Sequence, residues 1–128
     1  GEGNSKYTYD MKYIKYGYFN GFPIAAVAAR LEPIEDNKDG KFNMYIMTIN
    51  VLAAYRRRGV ASHLLNYIID GAAKDNRIEE IFLHVQTSND DAKAFYLSHE
   101  FEQTAIIEDY YTRVEPTSAF LLKKKNGR

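Results

Sequence analysis

The stretch from Tyr55 to Leu65 reads YRRRGVASHLL, and it decides what kind of fold this chain can form. Three arginines lead into one glycine and small residues, and an apolar pattern of helical spacing begins at once. After the glycine, apolar residues recur about every 3.6 positions, which predicts an amphipathic helix. They are Leu64, Leu65, Ile68, Ile69, Ala72 and Ala73. The run Phe42–Leu52 before the arginines is rich in strand-forming residues, so we expect a strand, a tight turn and a helix.

The turn in this unit has two interpretations. Backbone N–H groups at the start of a helix have no partners within the helix, and together with the helix dipole they attract anions. Arg56, Arg57 and Arg58 would add charge and donors, and Gly59 and Ala61 would let a phosphate approach the backbone. The alternative is a solvated basic helix start, because a single glycine without a P-loop lysine is a weak phosphate signal. The residues by themselves leave both interpretations open.

The composition indicates one globular domain and excludes several classes of function. The 128 residues are 45% apolar and 27% charged, with a formal net charge of zero, which argues against bulk attraction to nucleic acid or acidic membranes. Cysteine does not occur, which excludes a disulfide scaffold, a thiolate zinc site and a cysteine nucleophile, and suits a reducing compartment. The longest apolar run, Phe22–Ala29, is far below the ~20 residues of a membrane helix.

The segments before this unit predict strands and turns. The short aromatic run Tyr16–Asn20 is closed by the pair Asn20-Gly21, which predicts a hairpin turn. The following segment, Pro23–Leu31, is ambiguous because its alanines favour a helix and its length favours a strand. Turn-forming residues fill positions 35–40. Residues 1–15 have weak periodicity and stay unassigned within a single domain of residues 1–128.

The segments after the helix complete a mixed α/β sheet. Ile81–Val85 predicts a short buried strand, and Ser88–Asp91 predicts a capped helix start with acids in its first turn. Two further strands are predicted at Phe101–Ile107 and Ala119–Leu122. We interpret the lysines at 123–125 as a solvated tail.

Two motifs resemble those of the GNAT acetyltransferase family. Its acetyl-CoA-binding motif has the form R/Q-x-x-G-x-G/A, and Arg56–Ala61 reads RRRGVA. The strand IFLHVQ, the turn TSND and the helix DAKAFYLSHEF are similar to the family's final helix–strand unit. Three segments narrow the likeness to the type E N-terminal acetyltransferases: YIMTINVLAAYRRRGVA, LHVQTSN and DYYTRVEP. The similarity covers most of the chain, from Tyr18 to Lys123.

The resemblance implies a fold and two departures from it. The implied fold is a mixed, mostly antiparallel sheet with flanking helices and a splayed central strand pair. The family opens with a strand and one or two helices, and this chain has only a short unmatched stretch before Tyr16. Glu100 replaces the glycine usual before Phe101, which costs about 1 kcal/mol if that residue has positive φ.

The resemblance also implies a cofactor site. Acetyl-CoA would lay its pyrophosphate on the turn and helix start, and its pantetheine arm along the backbone of Ile49 and Val51. Asn89 would contact the cofactor or cap its helix, and the Tyr96 hydroxyl would lie near the CoA sulfur. The residues implied for the pyrophosphate are Arg56, Arg57, Arg58, Gly59, Val60, Ala61 and Ser62.

The implied catalytic residues are Tyr45 and His84. An α-ammonium has a reference pKa of ~7.7–8.0, so a weak base acting through water would suffice near neutral pH. Strand period places His84 on the face opposite Leu83 and Val85. The resemblance assigns the acceptor peptide to Met47, which faces the same way as Tyr45 by strand period, and to Tyr110, Tyr111 and Arg113. The alternative for Tyr110 and Tyr111 is packing of edge aromatics on the sheet, and the alternative for Tyr96 is packing in the core.

The implied activity is transfer of acetyl from acetyl-CoA, without a metal, to peptide or protein N-termini that begin with Met before an apolar residue. The alternatives are a lysine or small-amine GNAT enzyme and a non-catalytic acetyl-CoA-binding partner of a larger acetyltransferase complex. A nucleic-acid module using the arginines and terminal lysines comes last. Partner subunits at the ribosome and a cytoplasmic location, with a nuclear pool as a second location, are expectations from the family.

Overall fold

The computed structural model describes residues 12–35 and 39–127, and these form six strands and two helices. The strands are β1 (Lys12–Phe19), β2 (Phe22–Pro33), β3 (Phe42–Val51), β4 (Ile78–Gln86), β5 (Glu102–Ile107) and β6 (Ala119–Lys125). The helices are α1 (Val60–Ala73) and α2 (Asp90–Ser98), and a 3₁₀ turn (Ala53–Tyr55) follows β3. The sheet order is β1-β2-β3-β4-β6-β5, with antiparallel pairing of β1 with β2, β2 with β3, and β5 with β6. This confirms the predicted mixed, mostly antiparallel α/β fold.

The chain divides into two compact units. The first contains the residues up to Ile81 together with Asn126, and the second runs from Phe82 to Lys125. Strand β4 therefore begins in the first unit and ends in the second. The single domain and the splayed strand pair remain predictions.

The first unit is built on a hairpin that the sequence signals correctly. Asn20 and Gly21 have φ of 50° and 83°, the left-handed pair that a two-residue turn of type I′ requires. The ambiguous segment after it is a strand, because β2 is paired on both sides, by β1 and by β3. Its alternate residues are buried, with Val27 and Ala29 at 0% exposure, and α1 contributes the equally buried Leu65 to this core.

Asn126 fastens the end of α1 to the start of β4. Its Nδ2 donates to the carbonyls of Ala72 at 2.7 Å and Ile78 at 2.9 Å, and its backbone N–H donates to Glu79 at 3.0 Å. The side chain is 5% exposed, so these bonds are made away from water.

The interpretation of the lysines at 123–125 as a solvated tail is wrong. They are the last residues of β6, where Lys123 pairs with Glu102 of β5. The Nζ of Lys124 lies 3.4 Å from a carboxylate oxygen of Glu100. The buried Leu122 draws the strand into the sheet, and the lysine stems follow it.

Helix α2 is closed at both ends by local hydrogen bonds. At its N-terminus the Asn89 side chain accepts from the N–H of Ala92 at 3.1 Å, which confirms the capping interpretation. At its C-terminus Phe101 N–H donates to Tyr96 O and Glu100 N–H to Leu97 O, each at 3.1 Å, in a Schellman arrangement. Glu100 has φ of 70°, so the sequence correctly located a left-handed position occupied by a non-glycine residue.

Some expectations fall partly outside the described residues. Positions 1–11, and positions 36–38 of the predicted turn, lie outside the described residues, whereas the rest of the unassigned segment, from Lys12, belongs to β1. Neither described helix is long and apolar enough to cross a membrane.

Candidate active site

The loop between β3 and α1 has the backbone geometry of an anion site. Arg57 and Gly59 both have positive φ, 66° and 77°, and Gly59 is the N-cap of α1. The first hydrogen bond of the helix runs from the His63 N–H to the Gly59 carbonyl, so the N–H groups of residues 60–62 precede the helical ladder. Gly59 supplies no side-chain cap, and α1 has no acid in its first turn. These features favour the anion interpretation over a solvated helix start.

The three arginines have different surroundings. Arg56 Nε donates to the Val51 carbonyl at 2.9 Å, so this side chain ties the loop back to the end of β3. The guanidinium carbon of Arg58 lies 5.6 Å from the centroid of the Tyr55 ring, a cation–π contact. All three side chains are exposed, which keeps their charge available beside the loop.

The direction of the β3 backbone agrees with the role implied for Ile49 and Val51. Leu52 N–H donates to the Ile24 carbonyl of β2 at 2.8 Å. Because successive residues of a strand point their polar groups to opposite edges, Val51 and Ile49 point theirs away from β2. The Val51 carbonyl accepts from Arg56, so its N–H is the group that could donate to a cofactor.

Two open cavities flank this loop within the first unit. One of about 380 Å³ is lined by the end of β3 and the following residues, among them Asn50, Val51, Leu52, Ala53 and Arg56. The other, of about 530 Å³, is lined on its helix side by Arg58, Gly59, Val60 and His63. The loop is therefore accessible from both sides.

Tyr45 and Met47 lie on β3, also in the first unit. The guanidinium carbon of Arg30 lies 5.3 Å from the centroid of the Tyr45 ring, and Glu32 holds that guanidinium with an N–O distance of 2.7 Å. Met47 lies at a β-bulge that the sequence did not reveal: Ile46 pairs with Ala29 and Thr48 with Ala28, so no β2 residue is opposite Met47. The simple strand alternation used to place Met47 therefore holds only up to the bulge.

In the second unit, His84 lies among aromatic rings. It is half-buried between the buried Leu83 and Val85 along β4, as strand period predicts. Its ring is stacked on Tyr110, with centroids 4.1 Å apart and planes 20° apart, and it meets Phe82 edge-on at 6.3 Å. Tyr110 meets Tyr111 edge-on at 5.0 Å. The structure thus brings together one residue predicted to be catalytic and two predicted to bind the acceptor.

The loop that carries these tyrosines is fastened to the end of β4. Thr87 shares a 2.8 Å hydroxyl hydrogen bond with Ser118, and Gln86 Nε2 donates to the Pro116 carbonyl at 2.9 Å. Tyr111 N–H donates to the Thr117 carbonyl at 2.8 Å across the loop. Arg113 is exposed in the same loop. Sequence reasoning missed Gln86, Thr87 and Ser118, because bonds between residues 30 or 31 positions apart leave no local signal.

Tyr96 is 9% exposed on α2, with its ring edge-on to Phe101 at 5.6 Å. Burial raises the pKa of Tyr96 to about 12, so its hydroxyl stays protonated at neutral pH. Burial likewise raises the pKa of Tyr111, with a smaller contribution from Tyr110. Both hydroxyls therefore remain donors in the working range of a base that acts near pH 7.

Within the part of the chain that is described, no group of three or more histidine or acidic side chains is placed to hold a metal ion.

Comparison with known sequences identifies the family of the resemblance. Residues 8–101 match the sequence model of the acetyltransferase (GNAT) family. The chain is 38% identical over 110 residues to N-alpha-acetyltransferase 50 of Danio rerio and to probable N-acetyltransferase san of Drosophila melanogaster. These matches cover 86% of this chain but only 63% and 58% of the two relatives, less than two thirds of their lengths. The predicted likeness to the type E branch, which includes san, is confirmed.

A solved structure supports the same family. The fold is similar to Arabidopsis thaliana Naa50 in complex with the bisubstrate analogue CoA-Ac-MVNAL, with a TM-score of 0.78 and 43% identity. That match covers 87% of this chain and 71% of the plant protein. The ligand in that structure joins CoA to a peptide that begins with methionine and valine.

Proposed function

The chain belongs to the GNAT acetyltransferase family, and from that premise we propose that it is an acetyl-CoA-dependent N-terminal acetyltransferase. Its acceptors would be peptide and protein N-termini that begin with Met before an apolar residue. The main support for the proposal is the geometry of the loop at the start of α1. There a left-handed Gly59 leaves the first helical N–H groups without a side-chain cap, next to three arginines.

The residues of this loop fit the pyrophosphate of acetyl-CoA. Backbone N–H groups of Val60, Ala61 and Ser62 would donate to the phosphate oxygens, and Arg57 and Arg58 would neutralise their charge. Arg56 would act chiefly by holding the loop against β3 through its bond to Val51. The N–H groups of Ile49 and Val51 would donate to the pantetheine arm.

Acetyl-CoA supplies the acetyl group as a thioester, and the chain's own residues would manage the protons. His84 and Tyr45 would accept through water the proton that the incoming α-ammonium must lose, and the neutral amine would then attack the thioester carbon with its lone pair. The second proton that the nitrogen loses as it becomes an amide would pass to water or to the departing thiolate. As the new amide bond forms and the carbon–sulfur bond breaks, the Tyr96 hydroxyl would donate a hydrogen bond to the leaving thiolate. Its raised pKa of about 12 keeps that hydroxyl protonated for the task. Asn89 would act first as the cap of α2, and its contact with the cofactor is a further proposal.

The acceptor would be held by Tyr111 and Arg113 of the loop that follows β5, together with Met47. The preference for a first methionine agrees with the methionine-led ligand of the plant relative. A lysine acceptor is the competing candidate. Its amine has a reference pKa of ~10.4, so the same weak bases would have to remove a far more tightly held proton.

Mass spectrometry of acetyl transfer to two peptides tests this function. One peptide begins Met-Leu with a free α-amine, and the other has a blocked N-terminus and internal lysines. We expect acetylation of the first peptide only, and transfer about 100-fold slower in His84→Ala protein that still binds acetyl-CoA. Transfer to the lysine peptide at an equal rate would favour the competing candidate. Binding of acetyl-CoA without transfer to either peptide would favour a non-catalytic partner.

We further propose that the protein works in a larger N-terminal acetyltransferase complex at the ribosome, in the cytoplasm with a nuclear pool as a second location. A solved relative in the NatC complex bound to Gag peptide and CoA shares the fold at 23% identity. Co-sedimentation of the tagged protein with ribosomes, lost after high-salt washing, is the expected result, and a purely free pool would contradict the proposal.

A further inference from the structure

We propose that Tyr110 is a positioning residue, whose ring holds the His84 imidazole in one orientation for proton removal. The inference rests on the proposed function, in which His84 acts on the acceptor amine. It assigns to Tyr110 a role different from the peptide contact that the sequence motif implies.

The geometry of the ring pair carries this inference. The centroids of His84 and Tyr110 are 4.1 Å apart and their planes differ by 20°, so the two rings are in face-to-face contact. A histidine that extends from a strand turns freely about two side-chain bonds, and a ring stacked on one face blocks most of those rotations. Phe82, edge-on at 6.3 Å, borders the same imidazole from its own strand.

Tyr110 is itself held relative to β4, which a positioning residue requires. Tyr111 N–H bonds to Thr117, and the Thr117 hydroxyl donates to an Asp109 carboxylate oxygen at 3.2 Å. Two residues after His84, Gln86 bonds to the Pro116 carbonyl, and Thr87 bonds to Ser118 through both hydroxyl and backbone. The strand that carries the imidazole and the loop that carries the stacked ring therefore form one hydrogen-bonded structure.

The two roles for Tyr110 predict different kinetics. A hydroxyl that grips the acceptor peptide raises KM when it is removed, and the ring has no separate effect. A ring that orients His84 lowers kcat when it is removed, because misplacement of a catalytic group slows the chemical step. Tyr110→Phe removes only the hydroxyl, whereas Tyr110→Leu removes the stacking face.

Steady-state kinetics with a double-mutant cycle tests the proposal. We expect Tyr110→Leu to lower kcat about 10-fold with KM changed less than about 3-fold, and Tyr110→Phe to restore most of the lost kcat. His84→Ala should lower kcat about 100-fold, and adding Tyr110→Leu to it should lower kcat no further. Tyr13→Leu, the same change at an exposed tyrosine of β1, should leave kcat at the wild-type value.

Nuclear magnetic resonance gives a readout that does not depend on activity. Ring stacking shifts the imidazole proton resonances of His84 upfield, and we expect that shift in the wild type and Tyr110→Phe but not in Tyr110→Leu. A wild type without the shift overturns the proposal, and so does an active Tyr110→Leu variant that keeps its kcat. If the shift is present but the wild type transfers no acetyl to any N-terminus, the proposed function fails and the positioning role fails with it.

Discussion

Gly59 gives the proposed anion site its backbone shape, since its φ of 77° is costly for any residue with a Cβ. Gly59→Ala should lower the unfolding free energy by about 1 kcal/mol and weaken acetyl-CoA binding. Gly71→Ala is the matched control, because Gly71 is helical in α1 and a Cβ there meets no atom within 4 Å. That change should raise the unfolding free energy by about 0.5–1 kcal/mol in urea titrations. If both changes altered the unfolding free energy equally, the positive φ of Gly59 would not be the cause of its effect.

Glu100 lies at the left-handed position that ends α2, with φ of 70°. Glu100→Gly should raise the unfolding free energy by about 1 kcal/mol, because glycine adopts this conformation without strain. Glu100→Ala is the control, since it removes the exposed pairing with Lys124 and keeps the strain. Thermal unfolding of the two variants separates these effects, and a stability gain in Glu100→Ala as large as in Glu100→Gly would contradict the strain account.

Tyr96 links burial to pH dependence. Its pKa is raised from 10.0 to about 12, whereas in the unfolded chain it ionises near its ordinary value. The unfolded state therefore loses the proton first, and the unfolding free energy should fall by about 2 kcal/mol as pH rises from 10 to 12. In Tyr96→Phe protein the unfolding free energy should fall less with rising pH, because only the other tyrosines still ionise. Parallel stability curves for the two proteins over this range would refute the assignment.

At the scale of elements, Asn126 joins the end of α1 to the start of β4. Asn126→Ala would leave two buried carbonyls, of Ala72 and Ile78, without their donor and should cost about 2–3 kcal/mol of unfolding free energy. Asn76→Ala is a matched control at an exposed position of the same connection, and should change the unfolding free energy by less than about 0.5 kcal/mol. A small loss at Asn126, measured by urea unfolding, would mean that packing rather than these bonds holds the junction.

The elements show which features sequence can reveal. The Asn20-Gly21 turn, the stripe of α1 and the cap at Asn89 depend on neighbours within a few positions, and each was predicted where it occurs. The strand identity of β2 depends on pairing with both neighbours, so its alanines alone left it undecided. The lysines of β6 resemble a solvated tail in sequence for the same reason, because their strand is fixed by pairing with β5.

The candidate site also contains features that depend on local sequence and features that depend on distant contacts. The loop at Gly59 could be predicted, because a glycine ahead of a helix and a run of arginines are both local signals. The bulge at Met47 and the stack of Tyr110 on His84 could not, because both depend on contacts between segments far apart in sequence. The roles proposed for individual residues come from the family motif.

At the scale of the whole molecule, the chain spans 63% of the length of its Danio rerio relative. It includes the loop of residues 56–62 proposed to bind acetyl-CoA, His84, and the loop of Tyr110 and Tyr111. The account therefore predicts that this chain by itself selects one kind of amine. A single peptide that begins Met-Leu with a free α-amine and contains one internal lysine offers both kinds of amine at equal concentration.

The most direct measurement is tandem mass spectrometry of that peptide after incubation with the protein and acetyl-CoA, which locates the acetyl group on one nitrogen. We expect acetyl on the α-amine of the first methionine, with the lysine unmodified and with about 100-fold slower transfer by His84→Ala protein. Acetyl on the lysine, or an unmodified peptide from wild-type protein that binds acetyl-CoA, would contradict the proposed function.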